Sequence, residues 1–437
     1  MSFSTASNID QEDLYVYRLN PANAREYQYQ GRWEPMSRVV EAITVKGEAV
    51  PRQVENWYTR HGPVLSDVQP QHAEVLDTRR FVLALRWTAL DPDNTTAQAA
   101  YEANFARNVA ELSAAYDRHH SPMQNVVMAD TTGQTRYQAI GRVPLRGPGH
   151  DLSGVAPAPG WDARYDWIGW IAPDQTPRVV HEAIAAHGWH ATANQRILPP
   201  GYPFFLTQDW VSPERFDRIE TLLAARPQHD LDSLQAIQGD IVSLATQRLL
   251  PVLRGARSDH PLAAAALATL ADFDGTMRAN QAAPLIVAVW ADELTRALVE
   301  PRIGAARFAG LYGKRHFRAG LELLLTDPAA RADWCGASGC DAAVGAALGR
   351  ALDRIQAWQG PNVAQWEWGR EHYALSVHRP LGNVAPLAKF FDVRVPTGGD
   401  SWTVNVAQYW PNDLKTPFAN RHAASLRALY DLAASLL

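Results

Sequence analysis

Between residues 213 and 359 the apolar side chains of this sequence recur every three or four positions, whereas on either side of that block they alternate. Glu214 to Ala225, Leu231 to Arg254, Pro261 to Ala271, Pro284 to Glu300 and Asp341 to Trp358 carry the helical spacing. Leu14 to Leu19, Glu41 to Gly47, Gln53 to Tyr58 and Phe81 to Trp87 read as strands before the block. Tyr373 to His378, Phe390 to Val395 and Trp402 to Ala407 read as strands after it. Helices set between two groups of strands imply an α+β chain with one discontinuous core. Strands over 1–210 and 362–437 are expected to share that core, with a helical insertion over 211–361. Inside the first group, Asn94-Thr95-Thr96 opens a helix reaching about Tyr116, with either Thr as its cap. Asn125 to Asp130 and Arg136 to Val143 flank Thr-Thr-Gly-Gln as a hairpin, and 144–163 is an irregular loop rich in Pro and Gly.

Composition enters mainly by exclusion. The chain has 437 residues, 46% of them apolar and 20% charged, enough for a large core. A net charge of −5 leaves no basic footprint for nucleic acid or anionic lipid. No apolar run approaches the roughly 20 residues that span a bilayer. The start, Met1-Ser-Phe-Ser-Thr, has neither a basic nor an apolar leader segment, so at face value the chain is cytoplasmic. Cys335 and Cys340, five positions apart among small residues, are either a bonded pair in an oxidising compartment or two free thiols. The spacing of His181, His187 and His190 fits no standard zinc pattern. No Gly-x-Ser-x-Gly elbow is present.

Three stretches hold residue types suited to chemistry. Trp189 to Arg196 reads as a short strand that ends at Asn194, just before the loop Pro199-Pro-Gly-Tyr-Pro203. There Asn194 either bonds its own backbone in the turn or presents its side-chain N–H to a ligand. Arg215, in Glu214-Arg215-Phe-Asp-Arg218, reads by itself as a surface partner at helical spacing. Asp10-Gln-Glu12-Asp13 reads by itself as a solvated turn, although two carboxylates and an intervening carbonyl supply part of a hard-cation shell.

These stretches, with Ser4-Thr-Ala6, Arg60-His61-Gly62-Pro63-Val64, Leu85-Arg-Trp-Thr-Ala-Leu-Asp91, Asp209-Trp210 and Gly398-Gly399-Asp400 followed by Thr403-Val-Asn405, resemble the penicillin acylase (penicillin amidase) family over nearly the whole chain. That family consists of N-terminal-nucleophile (Ntn) amide hydrolases, including penicillin and acyl-homoserine-lactone acylases. The resemblance implies an αββα Ntn-hydrolase sandwich of antiparallel sheets and cleavage of a small linear amide into an acid and an amine. The attacking group is an N-terminal Ser whose own α-amino group, with an ordinary pKa of about 7.7 to 8, is the base.

By the motif match, the backbone N–H of Ala6 and the side-chain amide of Asn194 form the oxyanion cradle, and Arg215 supports the reacting centre. Asp10, the carbonyl of Glu12 and Asp13 match a structural calcium (Ca2+) site, to which Asp209 adds a carboxylate in an unfixed register. Gln124 is a pocket candidate. Some members carry a Cys pair near the place of Cys335 and Cys340. Members are usually exported, so the resemblance implies a periplasmic protein, and a separate smaller α chain is the expected partner.

In the family the nucleophile lies several dozen residues before the position of Ala6, and more core strand follows the position of the last residues here. The expectation is therefore an acylase large chain truncated at both ends. The alternative is a non-catalytic remnant or a binding protein that reuses the cleft. Ser2 is a poor nucleophile candidate: four residues of strand put it about 13 Å from Ala6, whereas nucleophile and donor must both come within about 3 Å of one carbonyl.

Overall fold

The computed structural model describes residues 2–5, 10–313, 316–335 and 339–433, so Ala6 lies outside the described residues. The chain divides into two compact units, 1–211 and 212–437.

The first unit is strand-rich. Its strands are β1 (Ser2–Thr5), β2 (Glu12–Asn20), β3 (Asn23–Tyr29), β4 (Arg32–Pro35), β5 (Ser37–Ile43), β6 (Arg52–Thr59), β7 (Gly62–Pro63), β8 (Phe81–Trp87), β9 (Gln124–Ala129), β10 (Thr135–Ile140), β11 (Pro144–Arg146), β12 (Ala158–Pro159), β13 (Trp167–Trp170) and β14 (Arg178–Val179). Helices α1 (Thr96–Ala103), α2 (Val109–Tyr116) and α3 (His181–His187) complete it.

Alternation decides which side of β2 goes inside: Asp13, Tyr15, Tyr17 and Leu19 are buried while Glu12 and Arg18 are exposed. β8 runs antiparallel to β2, from Glu12 opposite Trp87 to Arg18 opposite Phe81. A second sheet has the order β1-β9-β10-β14, with Ser4 opposite Asn125 and Thr5 opposite Gln124. The expected hairpin is β9–β10 of that sheet. In the sheet β5-β6-β7, β5 is the edge and all of its residues are exposed. The helix expected from Asn94 to Tyr116 is two helices, because Asn108 starts a new one by accepting a bond from the Glu111 N–H (2.9 Å) while Glu111 reaches back to the Arg107 N–H (2.9 Å).

Helices dominate the second unit: α4 (Glu214–Ala224), α5 (Leu231–Gln238), α6 (Leu244–Arg254), α7 (Ala263–Leu270), α8 (Ala282–Ile303), α9 (Ala305–Leu311), α10 (His316–Thr326), α11 (Pro328–Cys335) and α12 (Gly339–Gln359). α8 is apolar on nearly every face from Ala283 to Ala291, so it is the buried centre of the unit, against which α12 and its Leu348, Leu352 and Ile355 pack. The Trp290 indole N–H donates to the Val344 carbonyl at 2.9 Å. Asp292 and Glu293 are buried on the same helix, and Arg354 reaches both, at 2.6 and 2.5 Å. Leu231 to Arg254 is two helices: Asp230 and Ser233 form a capping box for the first, and Ser243 caps the second. Cys335 and Cys340 form a disulfide between the end of α11 and the start of α12. No helix among the described residues is long and apolar enough to cross a membrane.

Beyond α12 come α13 (Trp368–Glu371), β15 (Tyr373–Ser376), α14 (Ala385–Phe391), β16 (Val393–Pro396), β17 (Ala407–Gln408) and β18 (His422–Ala423). β15 pairs with β16 and β17 with β18, and both pairs belong to the same compact unit as the helices. Phe390 and Phe391 end a helix whose first turn is set by Pro386, so the strand begins only at Val393. Trp402 to Asn405 is a turn rather than a strand. The Asp400 carboxylate accepts from the Trp402 N–H (2.7 Å), and the Thr403 hydroxyl receives the Asp400 N–H (3.0 Å).

His372 gives this unit a pH dependence. It is fully buried, its Nδ1–H donates to the Phe418 carbonyl at 2.7 Å, and its ring stacks on Trp368. Burial pushes its pKa down from 6.5 to about 4. The folded chain then binds fewer protons than the unfolded one across that interval. The stabilisation is whole above pH 6.5 and is lost as pH falls toward 4, by about 3 kcal/mol in all. Urea midpoints measured from pH 7 to 4 are expected to fall for the wild type and to fall less for His372→Gln.

Candidate active site

Trp189 to Arg196 is irregular rather than a strand. Asn194 sits in the left-handed region, with φ +69°, where a strand cannot continue and where Asn is tolerated better than most residues. Its neighbours are held from both sides. The Ala193 N–H donates to the Gln195 side-chain carbonyl at 2.8 Å, bracketing Asn194, and both of these neighbours are buried. The Thr192 hydroxyl accepts from the Asn125 side-chain amide at 2.9 Å.

Asn125 lies on β9 directly opposite Ser4, two residues before Ala6. The loop that presents Asn194 and the strand that leads to Ala6 are thus both attached to the start of β9. Gln124, opposite Thr5, is half-buried at that same end. Asn125 and Gln195 escaped the sequence reading. Their signal was an amide directly before the apolar run Val126 to Ala129, in a strand where Asn is depleted, and an amide next to the candidate donor.

The acidic stretch is anchored rather than solvated. Gln11 donates to the His120 and Arg142 carbonyls (2.7 and 2.8 Å) and accepts from the Met123 N–H (2.7 Å), while the Asp10 N–H donates to the Leu206 carbonyl. Asp13 points into the core. Arg146 grips both of its oxygens, at 2.6 and 3.0 Å, and the Trp167 indole N–H donates to one of them at 2.6 Å. Burial alone would raise its pKa, but His150, 3.7 Å away, and Arg146 outweigh that and hold it below the ordinary carboxylate value. Asp10 is half-buried, and its pKa is pushed up to about 6 by burial, against the opposing charge of Arg146 and with help from Asp13 and Asp209. Glu12 is exposed on the other face of β2.

The resemblance offers Asp10, the Glu12 carbonyl and Asp13 as a calcium shell. Both Asp13 oxygens accept from the Arg146 guanidinium, which also reaches the Asp10 carbonyl at 3.3 Å and balances the buried carboxylate charge. Among the described residues no group of three or more His, Cys, Asp or Glu is arranged to hold a metal ion.

His61 belongs to a separate buried clamp. Its Nδ1 meets the Tyr17 hydroxyl at 2.5 Å and its Nε2 meets Asp166 at 2.9 Å. Asp166 also takes Arg60 at 2.7 Å, and although burial opposes it, these partners bring its pKa down to about 2. The fully buried Tyr15 stacks on the His61 ring, so the imidazole fastens strands rather than facing a cleft.

Arg215 lies in the second unit, half-buried in the first turn of α4. A cation there opposes the helix dipole. Around it, Glu214 pairs with Arg248 at 2.5 Å and Arg218 clamps Asp240 at 2.7 and 3.0 Å.

The family model described as penicillin amidase matches residues 3–435. The chain belongs to the penicillin amidase family. It is 29% identical over 452 residues to an acyl-homoserine lactone acylase QuiP of Pseudomonas fluorescens, covering 98% of this chain and 53% of that protein. It is 28% identical over 306 residues to a penicillin acylase 2 proenzyme of a Pseudomonas species, covering 69% of this chain and 37% of the relative. The chain spans about half the length of the acyl-homoserine lactone acylases it matches. Its fold matches that of a thermostable penicillin G acylase from Alcaligenes faecalis with a TM-score of 0.67, covering 84% of this chain and 69% of the other at 20% identity. The chain therefore has the α+β fold of that penicillin G acylase.

Proposed function

We propose that this chain supplies the oxyanion-stabilising part of an amidohydrolase that splits the acyl-amine bond of a linear amide, with an N-acyl-homoserine lactone as the first substrate to test. The observation that carries the reading is the shared attachment of the Asn194 loop and the strand before Ala6 to the start of β9. Attack on the amide carbonyl moves an electron pair onto its oxygen. Two N–H donors at the positions of Ala6 and Asn194 would meet that charge as it forms. Collapse of the tetrahedral adduct breaks the C–N bond, the departing amine takes up the proton given up by the attacking group, and water then releases the acyl group as the acid. The wide coverage of the acyl-homoserine lactone acylases, against the partial coverage of the penicillin acylases, supports this substrate class over a penicillin.

The test is release of free amine by the full-length protein from a long-chain acyl-homoserine lactone and from a phenylacetyl amide, followed by mass spectrometry. Amine from the lactone substrate is the expected result. Binding of both compounds without any amine release would favour a non-catalytic binding protein and end the hydrolase reading.

A further inference from the structure

Asn125, the second residue of β9, is a wholly buried amide. Burying such a group is costly unless its partners are in place, and they are. The Tyr137 hydroxyl donates to its side-chain oxygen at 2.7 Å, and its side-chain N–H donates to the Thr192 hydroxyl at 2.9 Å. Tyr137 is itself buried, on the neighbouring strand β10. The row therefore runs Tyr137, Asn125, Thr192, from the middle of the sheet out to the loop two residues before Asn194. On its other flank, the backbone of Asn125 pairs with Ser4 of β1.

A sheet gains nothing in stability from an amide where an aliphatic residue would pack, so another reason for the polar row is needed. Gln195 determines the bend at Asn194, but nothing in that bond ties the loop to the sheet; the Asn125–Thr192 bond does. We infer that Asn125, Thr192 and Tyr137 are positioning residues that hold the Asn194 loop in register with β1, the strand that precedes Ala6 in the chain. Directional bonds allow less drift than apolar packing, and a donor displaced by 1 Å costs about 10²-fold in rate.

The inference rests on the proposed oxyanion role of Asn194, and the experiment separates the two. In the full-length protein, Thr192→Val keeps the shape of the side chain and removes the hydroxyl, while Thr192→Ser keeps the hydroxyl. Amine release is expected to lose kcat by about 10-fold or more in Thr192→Val, with KM within about twofold, and to stay near wild type in Thr192→Ser. Tyr137→Phe, which removes only the distal hydroxyl, is expected to move kcat in the same direction and serves if Thr192→Val does not fold. Equal losses in Thr192→Val and Thr192→Ser would overturn the inference, as would unchanged kcat in Thr192→Val and Tyr137→Phe. If Asn194→Gly lowers kcat while those two variants do not, the positioning role fails and the oxyanion role stands. If Asn194→Gly itself leaves kcat intact, it is the oxyanion role that fails.

Discussion

Asn194→Gly is expected to lower kcat for amine release by about 10² to 10³-fold, a loss of about 2.7 to 4 kcal/mol of transition-state stabilisation, without lowering the melting temperature by more than about 2 °C. Glycine is the informative replacement because the residue sits at φ +69°. It accepts that backbone without strain and removes the side-chain amide, whereas alanine would mix lost chemistry with backbone cost. Steady-state kinetics and a thermal melt on the same preparation read the two effects separately. Loss of stability with kcat preserved would show that Asn194 serves the turn and nothing else.

Arg146→Met is expected to cost about 3 to 5 kcal/mol of stability, because it leaves the buried Asp13 carboxylate with the Trp167 indole N–H in place of a guanidinium. Both partners are almost inaccessible, with side-chain exposures of 7% and 1%. Gly154 closes over them. A Cβ there would lie 2.4 Å from the guanidinium nitrogen and 2.5 Å from the Asp13 oxygen, and its φ of +80° also favours glycine. The double change Asp13→Leu with Arg146→Met removes both charges and is expected to be less destabilising than Arg146→Met alone. Urea unfolding of the three variants decides it. Calcium or a chelator is expected to leave the wild-type melting temperature unchanged, since Arg146 already balances the buried Asp13 charge; a clear drop on chelation would show that a cation is needed there as well.

Where periodicity is long and regular, the sequence was readable: β8 falls on Phe81–Trp87, and α4, α8 and α12 fall within a few residues of their expected ranges. Local side-chain bonds misled where they compete with regular structure. Asn108 and Ser243 cut expected long helices in two, and the Asp400–Thr403 turn replaced an expected strand. Asp13 looked like part of a solvated acidic turn because its partner is 133 residues away, and no local pattern announces an ion pair of that reach. Asn194 was legible as a residue by motif, but its setting was not. The bond from Asn125 spans 67 positions, and only strand pairing brings Ser4 alongside. Family likeness pointed to the candidate donors; tertiary structure was needed to see what holds the Asn194 loop.

The exposed outer strand of the β5-β6-β7 sheet carries Val39, Val40 and Ile43, with a row of backbone N–H and C=O groups turned away from β6. Such a border is a template onto which an extended segment of a second molecule can zip. Arg38 and Glu41 are the charges along it that discourage this, and screening them with salt at high protein concentration favours filament-like or amorphous self-association starting there.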